Sequence, residues 1–423
     1  MNNFKKTTLK NGLRIITVPT KNTKTITVLV LVGTGSKYED KNINGLSHFL
    51  EHMFFKGTKK SPNTIKLIGP LDKIGGAYNA FTSQEYTGYW AKVDASHLDL
   101  VLDWVSDIYL NSKLEQKEID LEKGTILQEL NMYLDNPMRY VSNLWTDLLY
   151  GDQPAGWQII GTKKVIKGVK RNDFVTYLQN HYSSKNTIIA VAGNISHKET
   201  ISKIKKYFQK INDNKIKDKL SVEEKQIKPE SLIYYKNTDQ THLILGVRAY
   251  NIFHPDKYAL GLLGVMLGGN MSSRMWISVR ERQGLAYYVH TGAETDTDTG
   301  FLVTQAGVDN QKVERAIETI LNEYKKIRDK KISLAELKKA KDYIKGSSLI
   351  GMEASDEQAS FYASQELLTN KILTLEEKFS KINEVTVNDI QRVAKDIFKP
   401  EKLNLALIGP FKDKKRFDKL LKI

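Results

Sequence analysis

Residues 45–58, GLSHFLEHMFFKGT, gather His48, Glu51 and His52 within little more than one helical turn, and they use two of the chain's eight histidines. At about 100° per residue on a helix, Glu51 and His52 fall within about 60° of His48. Leu46, Phe49, Leu50 and Met53 occupy the opposite arc. Histidines at i and i+4 point the same way and can hold one Zn²⁺ between them. A carboxylate one position before the second His lies beside such a metal rather than on it. There it can take a proton from a water whose pKa the metal lowers to about 7. The pattern H-x-x-E-H is therefore a water-activating arrangement, the reverse of H-E-x-x-H. The alternative is a surface helix with polar residues on its wet side.

A catalytic zinc usually takes three protein ligands and keeps one position open. The chain has no Cys, so any zinc site uses His and carboxylate. The Glu-rich segment 115–137, EQKEIDLEKGTILQELNMYLDNP, reads as a long helix. Glu122 and Glu129 are two turns apart and share a face. Ile126 and Leu130 beside Glu129 suggest partial burial, where a carboxylate needs a cation. Spacing alone leaves Glu122, Glu129 and the other carboxylates of this helix open, with solvated Glu on a charged face as the alternative.

The elements that position these residues come twice. The chain's 423 residues suit two domains of about 200 each. "NTIIAVAGNIS" from Asn186 and "KLNLALIGPFK" from Lys402 are short apolar strands ending at Gly193 and Gly409, 216 residues apart. The same shift lays "KTITVLVLVGTG" near residue 24 over "QTHLILGVRAY" near residue 240. The charged stretch 212–230 reads as a linker. The expected organisation is an N-terminal catalytic zinc-binding domain over 1–211, the linker 212–230, and a homologous non-metal domain over 231–423. In the second copy the counterpart of the His48 helix is "YALGLLGVMLGGN", 258–270, with no His or Glu. One copy then holds chemistry while the other serves as scaffold or substrate wall. Period-two runs such as 78–93 alternate with helical stretches such as 98–112 and 313–328. This predicts an α+β fold of two tandem homologous domains, each a mixed, mostly antiparallel sheet covered by helices on one face.

Bulk properties narrow the function. Hydrophobic residues make up 40% of the chain, enough for substantial cores. No apolar run approaches the roughly 18 residues of a membrane span. The opening MNNFKKTTLKNGLRIITVP reads as a strand rather than a signal peptide, which makes the cytoplasm the expected location and excludes a membrane partner. The net charge of +15 raises nucleic-acid binding, but only eleven of the 64 basic residues are Arg, and nucleic-acid surfaces lean on Arg. The lysines are spread along helical faces, so no nucleic-acid partner is expected.

The motifs together resemble the pitrilysin-type, or inverzincin, zinc metallopeptidases, in particular their two-domain bacterial branch and the catalytic subunit of mitochondrial processing peptidase. The similarity runs nearly end to end: "TLKNGLRIITVP", "GLSHFLEHMFFKGT", "GGAYNAFTSQEYTGYWAKV", "EKGTILQELNMYLDNP", "HYSSKNTIIAVAGNIS" and "GGNMSSRMWISVRERQGLAYYV" occur in the family's order. The resemblance implies His48, His52 and Glu129 as ligands of one Zn²⁺ per chain and Glu51 as general base. It also implies Glu122 as a supporting catalytic carboxylate behind the ligands. Asn79, Ala80 and Phe81 would bind the substrate backbone. Arg280 and Tyr287 would act on bound substrate and on the reacting carbonyl. Two positions depart from the family's pattern. Gln128 stands where many members have a second acidic residue, and Pro70 is expected to break or kink the helix before the Asn79 strand. The function implied is a zinc metalloendopeptidase acting on short or unfolded peptides. The alternative is a non-catalytic homologue that binds peptides or serves as a structural subunit. Members of this size pair, so a homodimer is expected, or a heterodimer with a related subunit. Within it, Arg280 and Tyr287 of one subunit would serve the other's zinc site.

Overall fold

A computed structural model describes residues 4–423. The chain divides into two compact units. The first comprises residues up to Leu130, Gln158–Leu220 and Leu349–Thr374; the second comprises Asn131–Trp157, Ser221–Ser348 and Leu375–Ile423. The units are thus not the contiguous 1–211 and 231–423. The helix Pro137–Tyr150 groups with the later sheet and the helix Ser355–Thr369 with the earlier one.

The first sheet contains β1 (Lys5–Thr8), β2 (Arg14–Pro19), β3 (Thr25–Val32), β4 (Ala77–Thr82), β5 (Thr87–Asp94) and β6 (Thr187–Gly193), in the order β1-β2-β6-β3-β5-β4. The second contains β7 (Glu230–Tyr235), β8 (Gln240–Arg248), β9 (Ala286–Thr295), β10 (Gly300–Asp309) and β11 (Leu403–Gly409), in the order β7-β11-β8-β10-β9. Without β1, the two orders are identical: β2 matches β7, β6 matches β11, β3 matches β8, β5 matches β10 and β4 matches β9. The pairing sense agrees as well. Only β2–β6 and β7–β11 are parallel; the other neighbours are antiparallel. This shared topology is the structural form of the duplication. The metal-motif helix α1 (Leu46–Met53) lies against β4, and Lys257–Gly268 lies against the matching β9.

The helices that frame the site and the cores include α1, α2 (Thr64–Asp72), α3 (Leu98–Asn111), α4 (Gln116–Asp135), α5 (Pro137–Tyr150), α6 (Arg171–His181), α7 (Lys257–Gly268), α8 (Val313–Asp329), α9 (Ser355–Thr369) and α10 (Val387–Ile397). Pro70 does not end α2, which continues to Asp72. Pro70 has no N–H to offer the Lys66 carbonyl four residues earlier, so the helix runs on with one intrahelical hydrogen bond missing.

Both sheets are covered on both faces, not on one. The reason is legible in β3, TITVLVLV, where every position after the first is buried. An apolar run with no alternation needs cover above and below. In the first unit, α3 lies against β3 and β5. On the other face Leu29, Leu31, Ile188 and Ala190 pack on Ala359, Tyr362 and Ala363 of α9. In the second unit, Leu243, Leu245, Leu405 and Leu302 meet α7, α8 and α10. There Ile244, Phe301, Ala406 and Ile408 meet Val141, Leu144, Trp145 and Leu149 of α5. This packing assigns α5 and α9 to their sheets, because each would otherwise expose an apolar face.

Trp145 is fully buried and meets Phe301 edge-to-face, with ring centroids 5.8 Å apart. Trp145→Ala is expected to destabilise the second unit by about 3–5 kcal/mol. Urea unfolding followed by circular dichroism checks this; a midpoint equal to wild type would mean that α5 contributes little to the fold.

Candidate metal centre

The site begins with how α1 is held. Its apolar face, Leu46, Phe49, Leu50 and Met53, is buried. Phe49 meets Phe174 of α6 edge-to-face at 5.1 Å. The chain enters the helix through Gly45 at φ 99°, where a Cβ would come within 2.5 Å of the Ile160 carbonyl oxygen. Only glycine fits there.

The first N–H groups of any helix lack partners within the helix. Here the buried Glu39 supplies them. Its Oε2 accepts from the Gly45 N–H at 2.7 Å and its Oε1 from the Ser47 N–H at 2.6 Å. The Asn44 amide donates to Oε2 at 3.2 Å. Burial pushes the Glu39 carboxyl up to about 7, and the Ser47, Gly45 and Asn44 donors limit the rise. The Ser47 hydroxyl also shares a 2.6 Å hydrogen bond with the Tyr177 hydroxyl of α6. The residue before His48 is therefore fixed through both its backbone and its side chain.

On the polar face, the His48 and His52 rings are 4.7 Å apart. Glu129 of α4 comes between them, with Oε1 3.6 Å from His48 Nε2 and Oε2 3.5 Å from His52 Nε2. The ligand atoms of these three residues all lie within 4.8 Å of one another. Two donor atoms at tetrahedral positions around zinc, each about 2.0–2.1 Å from it, sit about 3.4 Å apart. The spacing of this set fits that geometry. So does the donor chemistry, two nitrogens and a carboxylate.

The tautomer fits as well. His52 Nδ1 hydrogen-bonds Glu122 Oε1 at 2.9 Å. A carboxylate there accepts a hydrogen bond from Nδ1–H, the tautomer whose Nε2 lone pair is on the Glu129 side. Glu122 is buried, and its other oxygen is paired with the Lys56 ammonium. Burial alone would lower the His52 pKa, but the Glu122 hydrogen bond and the charges of Glu122, Glu129 and Glu51 raise it above its ordinary value. Burial alone would raise Glu122, but His52 and Lys56 bring it below the ordinary carboxylate range. The carboxylates of Glu51, Glu122 and Glu129 thus lie about the two imidazoles, a donor set whose chemistry suits a cation. Glu51 does not join the ligand set. Its Oε2 accepts a 2.6 Å hydrogen bond from the Thr82 hydroxyl of β4.

The remaining sequence-derived residues fall elsewhere. Asn79, Ala80 and Phe81 lie on β4, the free edge of its sheet. Asn79 is exposed, Ala80 is buried, and Phe81 packs into the apolar cluster beneath α9, edge-to-face with Tyr86. Arg280 and Tyr287 belong to the second unit, whereas His48, His52 and Glu129 belong to the first. The Arg280 guanidinium stacks 4.1 Å over Trp276 and lies 5.7 Å from the Tyr287 ring, which is 75% exposed. Three residues around the metal group were not picked out in the sequence: Glu39, Lys56 and Thr82. Lys56 stands four after His52, a spacing that alone suggests a shared partner. Glu39 and Thr82 carry no such local signal.

Comparison with known proteins decides the family. Residues 14–163 match the profile described as "Insulinase (Peptidase family M16)", and residues 168–344 match "Peptidase M16 inactive domain". The chain belongs to peptidase family M16, the pitrilysin-type proteins. A Bacillus subtilis relative named "Uncharacterized zinc protease YmxG" is 34% identical, over 96% of this chain and 98% of the relative. A Rickettsia felis "Uncharacterized zinc protease" is 32% identical over 96% and 98% of the respective chains. Among solved structures, a protease from Helicobacter pylori superposes with a TM-score of 0.91 at 26% identity, covering 97% of this chain and all of that one. A peptidase M16 inactive domain from Pseudomonas fluorescens shares the fold, with a TM-score of 0.89 at 17% identity, over 97% and 99%. The M16 profile over residues 168–344 is the one named inactive, and α7, the counterpart of α1, carries no His, Asp or Glu. Among the described residues no helix is long and apolar enough to cross a membrane.

Two outcomes follow for metal binding. Glu122→Ala is expected to weaken zinc affinity by about 10–100-fold in chelator competition, since it removes the acceptor that orients His52; unchanged affinity would leave Glu122 with no part in the site. Glu122, Glu129 and Glu51 raise His52 above its ordinary imidazole pKa, so zinc competes with a proton for that ring. Affinity should therefore fall as pH is lowered from 8 to 6, with protons released on binding. A flat profile would show that His52 is not a ligand.

Proposed function

We propose that this protein is a zinc metalloendopeptidase that hydrolyses peptide bonds in short or unfolded peptides. The observation that carries the reading is the set His48, His52 and Glu129, with ligand atoms within 4.8 Å of one another, and Glu51 beside it on the same helix as the two histidines. His48, His52 and Glu129 would hold one Zn²⁺ per chain. When bound, the ion supplies Lewis acidity, lowering the pKa of water to about 7 and polarising the scissile carbonyl.

The chain's own residues do the rest. Glu51 accepts the proton of the attacking water and passes it to the leaving amine. Glu122, neutralised by Lys56, keeps His52 in the tautomer that presents Nε2. β4 is an edge strand, open on one side to an extended peptide, with Asn79 exposed on it and the Asn79 Oδ1 accepting from the Ala80 N–H at 2.9 Å. Main-chain pairing is largely blind to sequence, so the substrate must be able to extend, which favours short or unfolded chains. Arg280 is assigned to a substrate carbonyl. The Tyr287 hydroxyl is assigned to the developing oxyanion.

Names of relatives at 34% and 32% identity support the same chemistry. The assembly proposed is a homodimer.

Hydrolysis of a quenched-fluorescence peptide tests the reading. Wild type should cleave it, a chelator should abolish cleavage, and added zinc should restore it. Glu51→Gln should bind zinc normally yet lose about 10²–10⁴-fold in kcat. Cleavage by Glu51→Gln at the wild-type rate would remove Glu51 as the base. Light scattering should give about twice the chain mass of 48.2 kDa.

A further inference from the structure

The contact between Thr82 and Glu51 has a consequence beyond the assignment of the base. We infer that Thr82 is a positioning residue. Its hydroxyl fixes the Glu51 carboxylate through one oxygen and ties the base to the strand along which substrate would lie. The inference rests on the zinc-peptidase reading above.

Thr82 donates to Glu51 Oε2 at 2.6 Å, the length of a charge-assisted O–H···O⁻ bond. An ionised carboxylate has about four acceptor sites over its two oxygens. Thr82 takes one on Oε2, and Oε1 stays available for the water. Thr82 is half-buried, as is Glu51, so the bond is only partly exposed to competing solvent.

The donor is itself rigidly placed. Thr is β-branched, and its χ1 is restricted. Side chains alternate along a strand, so Thr82 and Ala80 share one face of β4 and Phe81 takes the other. Phe81 anchors that other face in the apolar cluster beneath α9, which turns Thr82 toward α1. Just beyond Thr82, the turn into β5 is pinned. The Ser36 N–H donates to the Ser83 carbonyl at 3.2 Å and the Lys37 N–H to the Gln84 carbonyl at 2.9 Å. The buried Lys37 ammonium pairs with Glu85 at 3.2 Å. A buried ion pair at a hairpin turn is costly unless well made, and this one holds the strand end that carries Thr82.

The geometry has a mechanistic meaning. A peptide added to the β4 edge takes its register from that strand. A base anchored by the same strand shares the frame of reference of its substrate. Misplacement of a reacting group by about 1 Å costs about 10²-fold in rate, so a tether of this kind acts on turnover rather than on binding.

The experiment compares Thr82→Val, which keeps the shape and removes the donor, with Thr82→Ser, which keeps the donor. With full-length zinc-loaded protein, Thr82→Val should lower kcat at least ~10-fold with KM within about twofold, and Thr82→Ser should recover most of it. A second readout needs no metal and no turnover. In metal-free protein labelled with ¹³C at Glu carboxyls, the Glu51 resonance, assigned by its absence in Glu51→Gln, should move in Thr82→Val and stay in Thr82→Ser. If wild type cleaves peptide and Thr82→Val matches its kcat, or if Thr82→Ser is as impaired as Thr82→Val, the positioning role is wrong and the peptidase reading stands. If wild type with zinc bound cleaves nothing, the peptidase reading fails, while the carboxyl resonances still decide whether Thr82 holds Glu51.

Discussion

Two imidazole nitrogens and the oxygens of one carboxylate, 3.5–3.6 Å apart and carried by different helices, are the constraint on which the rest of the first unit depends. Groups of this kind do not stay so close in a half-buried place without a cation or a firm frame. The frame is visible on every side. Glu39 and Gly45 set the entry of α1, and Phe49 fixes its apolar face. Glu122 fixes the ring of His52, with Lys56 balancing its charge. Thr82 fixes Glu51 from the sheet. Most of these contacts have one partner on α1 and the other on a different element. α1 is therefore oriented by its surroundings, and its own eight residues are too few to form a stable helix unaided.

Duplication explains the economy of the design. Both sheets follow one strand order, and each places a helix against the strand matching β4 or β9. The first copy carries His48, Glu51 and His52 on the polar face of that helix. The second buries its counterpart: Leu260, Leu262, Leu263, Met266 and Leu267 of α7 are each at most 5% exposed. Charge chemistry needs partners from several elements at once, whereas an apolar helix needs only a surface. One copy can thus lose the chemistry without losing the fold, and the family profile over residues 168–344, which includes α7, carries the name inactive.

Much of this was legible in the sequence, for reasons that can be stated. His48, Glu51 and His52 are read from helical spacing because their relation is local. The α+β character follows from the apolar strands and the period-two runs, and the duplication from two Gly-ended strands 216 residues apart. Glu129 could not be separated from Glu122 by spacing, because the choice is made 70 residues or more away by the two histidines: one carboxylate meets both Nε2 atoms and the other meets His52 Nδ1. The placement of α5 and α9 was hidden for the same kind of reason. Each is contiguous in sequence with one half of the chain, and only complementarity with a sheet face decides which sheet it covers. Cover on both faces was implied by TITVLVLV, but identifying the covering helix required the tertiary structure.

Zinc K-edge X-ray absorption on the purified full-length protein examines the metal group directly. The expected result is one zinc per chain in a four-coordinate shell of nitrogen and oxygen at about 2.0–2.1 Å, with the multiple-scattering signature of two imidazoles. In Glu129→Gln that shell should be lost or rearranged. A metal-free protein after zinc loading, or a shell without imidazole scattering, would contradict the assignment of His48, His52 and Glu129 as the ligands.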